Sequence, residues 1–124
     1  MEFKAVNLEA ECAALDEHWS PKVVGRVADQ YVKVAKIHGE FVWHAHEGED
    51  ELFLVLRGEM RIQMEDGDVT LGPGDAFVVP AGVRHNPVAE GECWLALIEP
   101  ATTKHTGDVL TDRTRSIDEQ LGRG

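Results

Sequence analysis

His44 and His46 stand two residues apart in the run FVWHAH (41–46), a spacing at which two imidazoles can share one metal ion. Phe, Val and Trp give the run strand character, and side chains alternate across a strand, so both rings would leave from one face. Val42 shares that face, while Trp43 and Ala45 point the other way. The turn EGED then carries the chain back, and Glu51 opens the next strand beside the two histidines. His85 arrives three residues past Gly82, where Pro80-Ala81-Gly82 turns the backbone sharply. Three neutral imidazoles and one carboxylate form a mixed nitrogen and oxygen set. That set suits Fe, Mn, Ni, Co, Cu or Zn better than Ca or Mg, which want mostly oxygen. Ligand bonds to such an ion run about 2.0–2.2 Å.

An HxH alone is a weak signal, because histidines are common on surfaces and in cores. The pattern here is longer. HAHEGEDELFLVLRG reads H-x-H-x4-E-x6-G, and GDAFVVPAGVRH reads G-x5-P-x-G-x2-H. His44, His46, Glu51, Gly58, Gly74, Pro80, Gly82 and His85 are the fixed positions, and together they resemble the two sequence motifs of the cupin superfamily. Two departures stand beside the match. Gly39 lies five residues before His44 where the family motif has its glycine six before, and Ala89 stands where an asparagine is frequent. Neither position is a ligand. The resemblance implies an all-β fold, an antiparallel double-stranded β-barrel or jelly roll with the metal inside, and usually a homodimer. The superfamily holds dioxygenases, isomerases, decarboxylases, lyases and non-enzymatic binders, so membership does not fix a reaction.

The elements that must position these residues can be read from the same chain. Leu8, Cys12, Leu15 and Trp19 mark one helical face over 7–19, with Asn7 as N-cap and Ser20-Pro21 as the stop. Over about 23–99 the pattern changes to short apolar runs, YVKVAKI, FVWHAH, ELFLVL, MRIQM, DVTL, AFVVP, VRHNPV and CWLALI, punctuated by Gly, Pro and Asp. Many short strands without helices between them predict an antiparallel sandwich or barrel. The stretch 101–124 is polar, and Ser116-x-x-Glu119 has the form of a capping box for one short helix. His18, His38 and His105 lie outside the motifs, at a helix end, a turn and the polar tail. They are given no role in a site.

Taking Gly58-Glu59 as the tip of a two-residue hairpin sets Phe53 opposite Met64 and Val55 opposite Ile62, all on the face of Glu51. These four would wall an apolar pocket beside the ion, or simply fill the barrel. Arg57 shares their parity but lies six residues from Glu51, roughly 20 Å away at ~3.3 Å per residue, and cannot reach a ligand there. Arg61 and Gln63 face the other way unless the register slips by one. Leu52, Leu54 and Leu56 make the opposite face apolar too, so a second subunit or the N-terminal segment should cover it. A two-fold dimer is the favoured expectation.

Composition sets outer limits. The 124 residues suit one domain, and 43% apolar with 28% charged residues is ordinary for a soluble globular chain. Asp and Glu number 23 against 12 Lys and Arg, a formal charge of −11 that repels nucleic acid and anionic membranes. Cys12 and Cys93 form no CxxC pair, the N-terminus lacks the form of a signal peptide, and no run reaches the ~20 apolar residues of a membrane span. A cytoplasmic location is expected. No phosphate loop, dinucleotide fingerprint or G-x-S-x-G elbow occurs, and no organic cofactor is expected.

Three functions compete on these grounds. The first is a metal-dependent enzyme, a dioxygenase, isomerase, lyase or decarboxylase, acting on a small anionic or enolate-like substrate through an ion with open positions. The second is a metal-assisted small-ligand binding or sensing module without turnover, mildly favoured by the lack of a nameable general acid or base. The third is a structural metal staple, disfavoured because structural zinc is normally closed by four tetrahedral ligands.

Overall fold

The computed structural model describes residues 3–107 and 114–122. A short helix α1 (Leu8–Ala13) precedes seven strands: β1 (Lys22–Val27), β2 (Gln30–Glu40), β3 (Glu51–Arg57), β4 (Met60–Met64), β5 (Gly67–Leu71), β6 (Ala76–Val79) and β7 (His85–Pro100). A helix α2 (Ile117–Gln120) follows. Every strand pairing is antiparallel, and the strands build the β-barrel of the jelly-roll type that the pattern predicts.

The sixteen-residue β7 organises the barrel. One edge of it pairs with β2, from Gln30↔Pro100 to Glu40↔Val88. Its other edge is divided: His85–Val88 pairs with β4 and 94–98 with β3. The order β1-β2-β7-β3-β6 is therefore one path, with β4 and β5 joined to it through β7. Alternation decides what faces in. Glu51, Phe53 and Val55 of β3 are buried while Leu52, Leu54 and Leu56 are half-buried, and Met60 and Ile62 of β4 are buried while Arg61 and Gln63 are half-buried. The inward rows meet in one core of Ala35, Ile37, Phe53, Val55, Ile62, Leu95 and Leu97 with their neighbours.

Several expectations need correction. β3 and β4 are not a hairpin: the pairs Phe53–Met64 and Val55–Ile62 do not form, because each strand takes its own half of β7. The turn between them is pressed onto that strand. A Cβ on Gly58 would lie 2.6 Å from the Glu92 carbonyl oxygen, and its φ of 81° is left-handed, so glycine is required twice over. The inward parity of Val55 and Ile62 survives, since a period of two does not depend on the partner. Residues 41–46 belong to no strand, touching β7 through the bridge His44↔His85 and a bond from Phe41 N–H to the Pro87 carbonyl (3.1 Å). Pro87 has no N–H to return, which breaks a continuous ladder there. The runs 83–88 and 93–98 are largely one strand, whose register against β2 shifts between Ala89 and Cys93 around Gly91.

The helix ends at Ala13 rather than reaching Trp19. Asn7 caps it as expected, its Oδ1 accepting from Ala10 N–H at 2.8 Å. Trp19 leaves the helix for a better burial. It takes φ 58°, donates its main-chain N–H to Lys36 O (2.9 Å) and its indole N–H to His38 O (3.0 Å), and stacks on Phe41 with ring centroids 4.4 Å apart. The Ser116 capping box is complete, with Glu119 N–H on Ser116 Oγ (3.1 Å) and Ser116 N–H on Glu119 Oε1 (3.0 Å). No helix among the described residues is long and apolar enough to cross a membrane.

Candidate metal centre

Two loops are tied together so that distant residues arrive at one point. Gly82 N–H donates to the His46 carbonyl (2.9 Å), and Ala81 N–H donates to Asp50 Oδ1 (2.9 Å). The sharp Pro80-Ala81-Gly82 turn is thereby fastened to the EGED loop. His44 and His85 exchange main-chain bonds of 3.0 and 2.9 Å, which sets their rings side by side with centroids 4.4 Å apart. Glu51 is delivered by the inward parity of β3.

The result is a buried cluster of His44, His46, Glu51 and His85 whose ligand atoms all lie within 4.8 Å of one another. Glu51 Oε1 is 3.4 Å from both His46 Nε2 and His85 Nε2. Two atoms each ~2.1 Å from an ion would be roughly 3.0 Å apart at a right angle and 4.2 Å apart when opposite. The two 3.4 Å spacings from Glu51 fall between those limits.

The ring protons are arranged for ligation. His44 Nδ1 is 2.8 Å from the Val42 carbonyl and His85 Nδ1 is 2.9 Å from the Val83 carbonyl. A carbonyl only accepts, so both Nδ1 atoms carry the proton and both Nε2 atoms offer a lone pair to the cluster. Burial, then the neighbouring His85, lowers His44 to a pKa of about 4 and keeps it neutral. Both ring nitrogens of His46, with His85 Nε2 and Glu51 Oε1, are buried and without hydrogen-bond partners among the described residues. Such orphaned atoms are costly unless something else binds them. The donor set fits a divalent transition-metal ion on this ground.

Behind Glu51 lies a group that sequence reasoning missed. The Glu99 carboxyl lies close enough to Glu51 for the two to perturb one another, and Glu99 in turn sits 2.7 Å from Lys33 Nζ. Burial, then the charge of Glu51, pushes Glu99 well above the ordinary carboxylate range. Burial would raise Glu51 as well, but the neighbouring Glu99 carboxyl and the imidazoles of His46 and His85 hold it well below that range. Lys33 Nζ also donates to Gln120 Oε1, which brings α2 onto the buried ion pair. A signal for Glu99 existed, since Cys93, Leu95, Leu97 and Glu99 form one alternating row.

An apolar cavity of about 40 Å³ adjoins the cluster. Phe53 lines it, with Phe41, Leu95 and Leu97. Val55 and Ile62 instead fill the barrel core, and Met64 packs at the rim of that core. These three are not among the cavity's lining residues, because β4 pairs with β7 rather than with β3. His105, expected to be a tail residue without a role, lines the cavity beside His44 and Glu51. Arg57 is exposed and pairs with Glu9, as its distance from Glu51 requires. His18 pairs with Glu92 at the surface (2.8 Å), away from the cavity lining.

A family model described as a cupin domain matches residues 30–99. A cupin-2 domain containing protein of Shewanella frigidimarina is 40% identical, with a TM-score of 0.75 over 77% of this chain and 93% of that one. Protein NMB1881 of Neisseria meningitidis is 33% identical, with a TM-score of 0.72 over 78% of this chain and 99% of that one. The uncharacterized protein YdbB of Bacillus subtilis is 35% identical over 83 residues, which are 66% of this chain and 74% of YdbB.

Proposed function

The chain belongs to the cupin family, and from that premise we propose that it holds one divalent transition-metal ion through His44, His46, Glu51 and His85 and presents it to a small organic anion or enolate-like molecule. One observation carries the reading: four buried ligand atoms from three separate stretches converge within 4.8 Å, with Nε2 left bare by backbone bonds at Nδ1 on two of the rings. Iron, manganese, nickel, zinc, cobalt and copper all suit the set.

Such an ion, when bound, supplies a Lewis acid. The chain's own residues do the rest. Glu51 contributes one negative charge, so the site carries a net positive charge with a dication and favours an anionic ligand despite the acidic exterior. Phe41, Phe53, Leu95 and Leu97 exclude water around it. A metal-dependent isomerase, lyase, decarboxylase or dioxygenase is the enzyme reading. Binding or sensing without turnover is the alternative, favoured by a cavity wall whose ionisable side chains, among the described residues, are His44, Glu51 and His105. A second copy of the chain is proposed to cover the half-buried Leu52, Leu54 and Leu56 and the exposed Val78.

Elemental analysis of protein purified without a metal-affinity tag should find about one transition-metal ion per chain. The paired variant His44→Ala with His85→Ala should lose it. Unchanged metal content in that variant would sink the proposal. Melting curves of the loaded protein with keto acids, diketones and sugar phosphates, followed by product analysis, separate turnover from binding alone.

A further inference from the structure

The tail contributes one feature that the cupin motifs do not contain. Arg115 N–H donates to His105 Nδ1 at 2.9 Å. An N–H can bond only to a ring nitrogen with a free lone pair, so in the neutral ring the proton must sit on Nε2. His105 is the mirror image of His44 and His85, whose protons sit on Nδ1. Those two are built to offer lone pairs. His105 is built to donate.

Its surroundings support that role. Burial, then the nearby positive charge of Lys33, lowers its pKa to about 4, so the ring is neutral near pH 7. The ring packs 5.2 Å from Phe41, which stacks on Trp19 and meets His44 edge-on at 5.7 Å. His105, His44 and Glu51 line the same otherwise apolar cavity. The Arg115 bond occupies Nδ1, which leaves Nε2–H to a ligand or to solvent at the cavity wall. The cavity volume of about 40 Å³ admits two or three waters, or a ligand of a few heavy atoms.

We infer that His105 is a specificity-determining donor, fixed as the Nε2–H tautomer by Arg115, that binds an acceptor oxygen of a small carboxylate or 2-oxo acid held at the His44, His46, Glu51 and His85 centre. The inference rests on the proposed metal reading and adds to it the class of ligand and a residue that selects it. A neutral donor distinguishes an oxygen acceptor from an ammonium or hydrocarbon group at the same place. The segment that carries His105 is held against the 41–46 stretch, where Gly107 lies so close to Ala45 that a Cβ would fall 2.1 Å from its carbonyl oxygen.

The test uses the full chain loaded with cobalt(II), whose visible spectrum reports changes at the ion. Acetate, pyruvate and acetohydroxamate are titrated into wild type, His105→Phe and His105→Gln, and cobalt affinity is measured alongside. Phe keeps the ring and removes the donor; Gln keeps a donor. The expected result is 10- to 100-fold weaker pyruvate binding in His105→Phe, near wild-type binding in His105→Gln, and unchanged cobalt affinity in both. Nitrogen-15 spectra of the cobalt-free wild type should show His105 protonated at Nε2. Equal pyruvate binding by wild type and His105→Phe, or a proton on Nδ1, overturns the inference while leaving the metal reading intact. A wild-type cobalt spectrum unmoved by all three probes overturns the ligand class and the open site together, and a wild type that takes no cobalt overturns the metal reading itself.

Discussion

Lys33 and Glu99 face one another across β2 and β7 at 2.7 Å, with side chains 1% and 3% exposed, and their ion pair is the backing of Glu51. The lysine ammonium lies against the Glu99 carboxylate, and both are shut away from water. Breaking a buried pair by removing one partner typically costs 3–5 kcal/mol, since the charge left behind is uncompensated. Lys33→Met should therefore destabilise the protein by about 3 kcal/mol or more in urea unfolding. The double variant Lys33→Met with Glu99→Gln should recover part of that loss, because the second change removes the stranded acid. A double variant no more stable than the single one would show that the pair does not act as a unit.

The pH dependence of stability follows from His105. Its folded pKa is about 4 against an unfolded value near 6.5, so the unfolded chain binds the extra proton first as pH falls. Stability from this group is complete above pH 6.5 and is lost progressively down to pH 4. Other groups titrate in that window, so the contribution is isolated by comparing metal-free wild type with His105→Gln. The wild type should lose about 2 kcal/mol more than the variant between pH 7 and pH 5. Parallel losses would place His105 in water rather than against Phe41.

How far the chain could be read beforehand differs from residue to residue. Glu51 and Phe53 were legible because a period of two needs no knowledge of the neighbouring strand. Pairing was not, because β3 and β4 are separated by a glycine turn that reads as a hairpin, and only the length of β7 offers them separate partners. Glu99 was legible in principle from its row with Leu95 and Leu97, yet a lysine elsewhere had to be known to make its burial tolerable. His105 was not legible at all. It lies in no periodic element, and its place depends on bonds between segments ten residues apart.

Gly58 allows a sharper test of the fold than the ligands do. Alanine there would adopt φ 81° and bring its methyl group to 2.6 Å from the Glu92 carbonyl. Strain at a left-handed position costs of order 1–3 kcal/mol, and the clash with backbone adds to it. Gly58→Ala should lose at least about 2 kcal/mol. Gly82 provides the control, with a similar φ of 79° and nothing within 4 Å of a built Cβ. Gly82→Ala should cost only about 1–2 kcal/mol. Equal losses in chemical denaturation would mean that the turn does not press on β7.

The two thiols report on opening of the barrel wall. Cys12 and Cys93 are free and fully buried, and Cys12 Sγ donates to the Ala35 carbonyl at 3.3 Å. Burial pushes their pKa values up to about 11 and about 12, so neither is a thiolate near neutrality. Thiolate is the reactive form, and access is closed as well. A disulfide reagent at pH 8 should therefore modify both cysteines only at the rate at which the native chain opens, and both immediately in denaturant. Because Cys12 lies on α1 and Cys93 on β7, simultaneous labelling would mean that the helix and the wall open together. Rapid modification of Cys12 alone would mean that α1 undocks first, and rapid modification of both in the native state would contradict the packing of α1 on the barrel.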